Sequence, residues 1–377
     1  MAVAVNARDG RALPRPAHLA GLDRYEPGRP IEEVQRELGL TDVVKLASNE
    51  NPLGPSPRAL AAAADALRAA HRYPDGPARA LRAALGARAQ LDARHVVIGN
   101  GSTDLIDLVA RAFLGPEDNA VISEGAFARF RQVVMARNGH ARTVPLRDYR
   151  HDLDAMARAA DARTRLVFVA TPNNPTGNWN THSEIDRLLS ALPPEVVVVL
   201  DQAYFEFAAD LEPDYPDAIE YVRAGAPVVA LRTFSKAYGL AGLRIGYAVA
   251  APAIVEAVDL VREPFNSNLP GQAAALAALG DLPHVQATLE LTRVERAEMA
   301  GALAARGLRV LPSLANFLCV DVRRPAGPVF RALLLRGVIV RPLEAYGLPS
   351  FLRISIGMRE ENVRLLRALD EVLTEKA

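Results

Sequence analysis

Five consecutive apolar residues, Val196-Val197-Val198-Val199-Leu200, stop abruptly at Asp201-Gln202-Ala203-Tyr204, and similar runs recur through the first two thirds of the chain. Strand-length apolar runs are expected at 95–99, 120–123, 165–170, 196–200, 228–232 and 244–249, with helix-length segments at 102–114, 127–138 and 183–192 between them. Strands that are apolar at nearly every position, rather than at alternate ones, suit a sheet covered on both faces. The reading is a mainly parallel α/β domain. After residue 264 the texture changes. Helices are expected at 271–279, 284–306, 328–336 and 360–375, and strands at 308–311, 317–322, 338–340 and 352–356, which is the pattern of a smaller α+β domain. At 377 residues the chain exceeds what one hydrophobic core usually organises. The expected division is 1–44 as an N-terminal arm and part of the small domain, 45–264 as the large domain, and 265–377 as the small C-terminal domain.

Charge and cysteine content exclude several classes. Lys+Arg and Asp+Glu each number 44, so net charge points neither to nucleic acid nor to an anionic membrane surface. The apolar runs are too short to span a bilayer, and Arg8, Asp9 and Arg11 break the apolar start before a signal-peptide core can form. The expectation is a cytoplasmic protein whose first twenty or so residues form a loose arm. Cys319, the one cysteine, lies in an apolar run and reads as a small buried hydrophobe. No internal disulfide or cysteine metal site is available, and the seven histidines lack ligand spacing, so no metal is expected.

Ligands of open α/β sheets bind beyond the carboxyl ends of the strands, and the polar clusters fall at those ends. One strand runs into Asn100-Gly101-Ser102-Thr103, another into Thr171-Pro172-Asn173-Asn174-Pro175-Thr176-Gly177, a third into Asp201–Tyr204, and a fourth into Thr233-Phe234-Ser235-Lys236. The Gly101 turn opens a helix, whose free N–H groups favour a phosphate; alone it reads equally as a plain cap. Thr233, Ser235 and Arg244 would add hydroxyl and guanidinium donors. Asp201, after five apolar residues, needs a cationic partner, either an arginine or a protonated pyridine nitrogen. The 172–177 string is also consistent with a simple rigid turn. Only Lys45, Lys236 and Lys376 supply amines. Lys45 reads as a snorkelling strand residue and Lys376 lies in the tail, so nucleophilic amine chemistry falls to Lys236.

Ser235-Lys236-Ala237-Tyr238-Gly239-Leu240-Ala241-Gly242-Leu243-Arg244-Ile245-Gly246-Tyr247 resembles the cofactor-lysine signature of the class II, fold-type I aminotransferases. Asn174–Gly177 and Asp201–Tyr204 resemble that family's other cofactor motifs, in the same order. Tyr25-Glu26-Pro27-Gly28, the stretch 45–57, Arg72-Tyr73-Pro74-Asp75, 313–317, 337–341 and 352–357 resemble the subgroup that acts on histidinol phosphate in histidine biosynthesis.

The resemblance implies a large domain with a mainly parallel sheet beside a smaller α+β domain. It implies pyridoxal 5′-phosphate held as a Schiff base on Lys236, which would also shuttle the substrate proton. Asp201 would pair with the pyridinium nitrogen, Asn174 and Tyr204 would contact the phenolate, and Phe127 would stack on the ring. Gly101, Ser102, Thr103, Thr233, Ser235 and Arg244 would hold the phosphate, joined by Tyr73 from a neighbouring subunit of a homodimer. Tyr25, Asn49, Arg341 and Arg353 would meet the substrate, with 2-oxoglutarate or glutamate taking the same cationic site in turn. Rival readings are an aromatic amino-acid aminotransferase, a decarboxylase of a phosphorylated amino acid, and a catalytically inactive binding protein of the same fold. Three features depart from the family pattern: Gln202 stands where glutamate is usual, 123–127 is atypical, and 208–217 reads as an inserted loop.

Overall fold

The computed structural model describes residues 16–19, 22 and 28–374. The expected arm therefore lies mostly outside the described residues, as does Tyr25. Among the described residues no helix is long and apolar enough to cross a membrane.

A seven-stranded sheet dominates the large domain. Its spatial order is Val96–Gly99, Gly246–Val249, Val228–Thr233, Val197–Asp201, Thr164–Ala170, Asn119–Ser123 and His140–Val144. Gly246–Val249 runs antiparallel to both neighbours, and every other pairing is parallel. Alternate side chains of one strand enter different cores, as the two-residue period of a strand requires. Val198 and Leu200 join one apolar cluster with Val167 and Val169, while Val197 and Val199 join the other with Leu166 and Phe168. Both faces are thus buried, which is why these strands read as continuous apolar runs. Helices Ser102–Phe113, Arg129–Ala136 and Pro252–Val261 cover one face, and Arg79–Arg88, His182–Ala191 and Leu269–Leu279 cover the other.

The edge strand His140–Val144 had no apolar signature, because most of its residues face solvent. Arg244 does not belong to a strand. It has a left-handed backbone at φ 51°, and the strand begins two residues later at Gly246.

The small domain holds a four-stranded antiparallel sheet in the order Arg341–Pro342, Phe351–Ser355, Phe317–Asp321 and Arg309–Val310. A two-stranded parallel pair joins Val44–Lys45 to Val338–Ile339. The cores do not divide at residue 264. Val44 packs into the small-domain cluster, in line with the expected 1–44 segment, and so does Leu46 just beyond it, whereas Ala274, Ala275 and Ala278 of Leu269–Leu279 pack into the large one. The change of core falls within the helix Leu282–Ala305, which gives Val285 to the large cluster and Met299 and Leu303 to the small one. A uniformly helical stretch carries no composition change that would mark such a crossing.

Candidate active site

The parallel strands end together on one rim of the sheet. Because Gly246–Val249 runs the opposite way, its beginning reaches that same rim, and Arg244 is delivered beside the strand ends (register Thr233↔Gly246 and Gly99↔Gly246). A cleft opens there, lined by Ser102, Thr103, Phe127, Asn174, Asp201, Tyr204, Thr233, Ser235, Lys236 and Arg244 from the large domain, Arg341 and Arg353 from the small one, and Asn49 from the segment between them. Gly101 sits just behind, at the N-terminus of Ser102–Phe113. Tyr73 is outside the cleft, 80% exposed, with its ring stacked on Phe265 at a centroid distance of 4.5 Å.

Lys236 follows the strand Val228–Thr233 in a turn closed by Gly239 N–H donating to Lys236 O at 3.0 Å. Gly239 has φ 71°, and a Cβ there would lie 2.3 Å from Gly54 O, so glycine is required. The Lys236 ammonium donates to Ser48 O at 3.1 Å. Burial, then the charges of Arg353 and Arg244, lower its pKa from 10.5 to about 7, against the opposing pull of Glu50 and Asp201. Near neutral pH a good share of this amine is therefore unprotonated and nucleophilic.

Asp201 accepts the Ala203 N–H at 3.1 Å and is 6% exposed. Burial raises its carboxyl from 3.8 to about 6. A carboxylate so placed calls for a cation, which a protonated pyridine nitrogen would provide.

At the other end of the cleft, Gly101 caps Ser102–Phe113 without a side-chain hydrogen bond, so first-turn N–H groups are left for a ligand. Thr233 Oγ1 donates to Ser235 Oγ at 3.0 Å, and Arg244 Nη1 donates to the same oxygen at 3.3 Å. A Cβ on Gly101, at φ 82°, would lie 2.5 Å from Arg244 Nη2. Backbone donors, two hydroxyls and a guanidinium thus converge as a dianion would require. The donor set fits pyridoxal 5′-phosphate: amine, buried carboxylate and phosphate cradle along one cleft.

Arg341 and Arg353 are register partners on adjacent antiparallel strands, so both side chains leave the same face of the small sheet. Arg353 is 7% exposed; its Nη1 donates to Asn174 Oδ1 at 2.6 Å and its Nη2 to Ala47 O. Gln202 does not line the cleft. Its Oε1 accepts Ala218 N–H at 3.0 Å and Arg232 Nη2 at 2.9 Å, and its Nε2 donates to Pro216 O at 2.6 Å. Gln202 thereby secures the chain at Pro216–Ala218 behind the strand ends. Sequence reasoning assigned no role to the Ser48 and Ala47 carbonyls or to Ser355, whose N–H and hydroxyl fasten the segment carrying Asn49. A backbone carbonyl leaves no mark in residue type.

This chain belongs to the aminotransferases of class I and II, whose family model matches residues 41–369. Its fold is that of the fold-type I pyridoxal-phosphate enzymes. It is 48% identical over 367 residues to histidinol-phosphate aminotransferase 2 of Pseudomonas aeruginosa, covering 97% of this chain and 99% of the relative. Identity is 47% over 356 residues to histidinol-phosphate aminotransferase of Moorella thermoacetica, covering 94% and 92%. Among solved structures, histidinol-phosphate aminotransferase from Sinorhizobium meliloti in complex with pyridoxal 5′-phosphate superposes with a TM-score of 0.86 at 30% identity, over 97% of this chain and 98% of that one.

Proposed function

We propose that this chain transfers the amino group of histidinol phosphate to 2-oxoglutarate, giving imidazole acetol phosphate and glutamate, in histidine biosynthesis. The observation that carries the substrate assignment is the paired Arg341 and Arg353 on one face of the small sheet, lining the cleft that holds Lys236. Two guanidinium groups suit a phosphate ester, and the same groups suit the carboxylates of 2-oxoglutarate when it replaces the first product.

Pyridoxal 5′-phosphate, once bound, supplies a ring that draws electrons from the carbon bearing the amine. Lys236 would hold the cofactor, and its Nζ would serve as the base that takes and returns the substrate's proton. Asp201 keeps the ring nitrogen protonated. Asn174 and Tyr204 would hold the ring oxygen, and Phe127 would cover the ring. Ser102, Thr103, Thr233, Ser235 and Arg244 anchor the phosphate, with the Gly101 turn giving the backbone its approach. Tyr25, which lies outside the described residues, would join the arginines on the substrate side, as the resemblance implies.

We read the working form as a homodimer in the cytoplasm. Tyr73 and Phe265 form an exposed stacked pair, and Leu60 and Leu276 add exposed apolar surface on two mutually packed helices, with Leu67 in the turn after the first. Covering that surface with a second copy would carry Tyr73 toward the partner's phosphate cradle.

Half-reactions test the assignment. Histidinol phosphate alone should discharge the visible absorbance of the loaded enzyme in one turnover, and 2-oxoglutarate should then restore it. No spectral response to the phosphate ester would sink the assignment.

A further inference from the structure

Residues 46–51 cross from the small domain to the large one along the cleft. Leu46 is held on the small-domain side, donating its N–H to Ile339 O at 2.8 Å and accepting Ser355 N–H at 2.9 Å. Asn51 is held on the other side, where its Nδ2 donates to Ala237 O and to Thr288 Oγ1, both at 3.0 Å.

Between them Asn49 is 1% exposed and has a left-handed backbone at φ 55°. Its groups are engaged on both domains. The backbone N–H donates to Ser355 Oγ at 2.8 Å, and Oδ1 accepts the Ser355 hydroxyl at 3.0 Å. The backbone carbonyl accepts Asn316 Nδ2 at 3.1 Å, and the side-chain Nδ2 donates to Tyr204 Oη at 2.8 Å. A residue so fully occupied with protein partners is better suited to orienting a neighbour than to gripping a substrate.

In the contact with Tyr204 the phenol oxygen accepts, so the phenol's own hydrogen is not spent on Asn49. A hydroxyl that accepts one hydrogen bond becomes a stronger donor in the next. We propose that Asn49 is a positioning residue that keeps Tyr204 a donor toward the cofactor's ring oxygen, and that Ser355 makes this orientation depend on the seating of the small domain. The proposal rests on the pyridoxal-phosphate reading above.

The consequence is spectroscopic. A donated hydrogen bond stabilises negative charge on the ring oxygen, so the proton that this oxygen shares with the Lys236 nitrogen is held less tightly. Lys236 also faces Asp201 at its strand end, Arg244 on the rim, Arg353 from the small sheet and Glu50 from the crossing segment. Changing Asn49 leaves all four in place.

The test uses the cofactor-loaded full chain and follows its visible absorbance against pH. Asn49→Gly keeps the left-handed backbone accessible while removing the amide. It should move the spectral transition to higher pH by about half a unit, the scale of one neutral hydrogen bond. Tyr204→Phe should move it further in the same direction, and adding Asn49→Gly to Tyr204→Phe should add nothing. Ser355→Ala, which spares the Asn49 side chain, should give a smaller shift that also vanishes in the Tyr204→Phe background. Equal shifts in both backgrounds, or no shift in either single variant, would overturn the role of Asn49. Absence of any visible band in the loaded wild-type chain would instead overturn the cofactor reading beneath it.

Discussion

At Lys236 a buried amine is held at about 7 instead of 10.5 by burial and two nearby arginines. That shift has a cost in the cofactor-free protein. Because the folded pKa lies below the unfolded one, the unfolded chain binds more protons between about 7 and 10.5, and stability rises with pH across that window. Below pH 7 the full penalty of a buried ammonium is present. Cofactor-free Lys236→Met should therefore melt at a higher temperature than wild type at pH 7, with the gap narrowing toward pH 10. Thermal unfolding at several pH values measures it, and a gap independent of pH would contradict the burial argument. Asp201 works in the opposite sense. Its raised pKa makes the folded state hold the extra proton between 3.8 and about 6, so its stability contribution falls as pH rises through that window. In the proposed cofactor site a cationic ring nitrogen would offset this loss. Both residues stand out in the sequence: Lys236 through the scarcity of lysine and its place at a strand end among polar clusters, and Asp201 through the five apolar residues before it. Ser48, whose carbonyl receives the ammonium, does not, since any residue supplies that group.

Among the elements, the rim was legible because each apolar run stops at a polar cluster, and a sheet buried on both faces makes such stops conspicuous. The reversed strand Gly246–Val249 was not distinguishable by pattern from its parallel neighbours. Yet its reversal is what brings Arg244 to the cradle, two residues before the strand begins. Close packing between this arginine and the Gly101 turn leads to a sharp expectation. Gly101→Ala would introduce a Cβ 2.5 Å from Arg244 Nη2 in a left-handed backbone. Cofactor affinity should fall by about tenfold or more, the equivalent of one charge-assisted hydrogen bond. A titration of the cofactor-free protein with pyridoxal 5′-phosphate reads this directly, and unchanged affinity would contradict the cradle. Gln202 shows the converse case. Its departure from the usual glutamate was expected to act on local hydrogen bonds, and its side chain bonds Pro216 O, the Ala218 N–H and Arg232 away from the cleft.

For the molecule as a whole, two domains were expected from length and from the change of texture after 264. The second crossing was hidden, because the helix Leu282–Ala305 runs from one core to the other without a change of composition. That arrangement matters for chemistry. The small domain contributes Arg341 and Arg353 to a cleft whose amine and buried carboxylate come from the large one, so the proposed function puts substrate choice and bond chemistry on different bodies. A guanidinium pair that holds a phosphate also attracts a carboxylate, and this is where the aromatic amino-acid rival persists. Comparing kcat/KM for histidinol phosphate and phenylalanine, with 2-oxoglutarate as common acceptor, decides between them. The paired arginines require a preference for the phosphate ester of about a hundredfold or more, as expected when a buried charged site is left without its anion. Equal turnover of the two donors, or a preference for phenylalanine, would contradict the assignment.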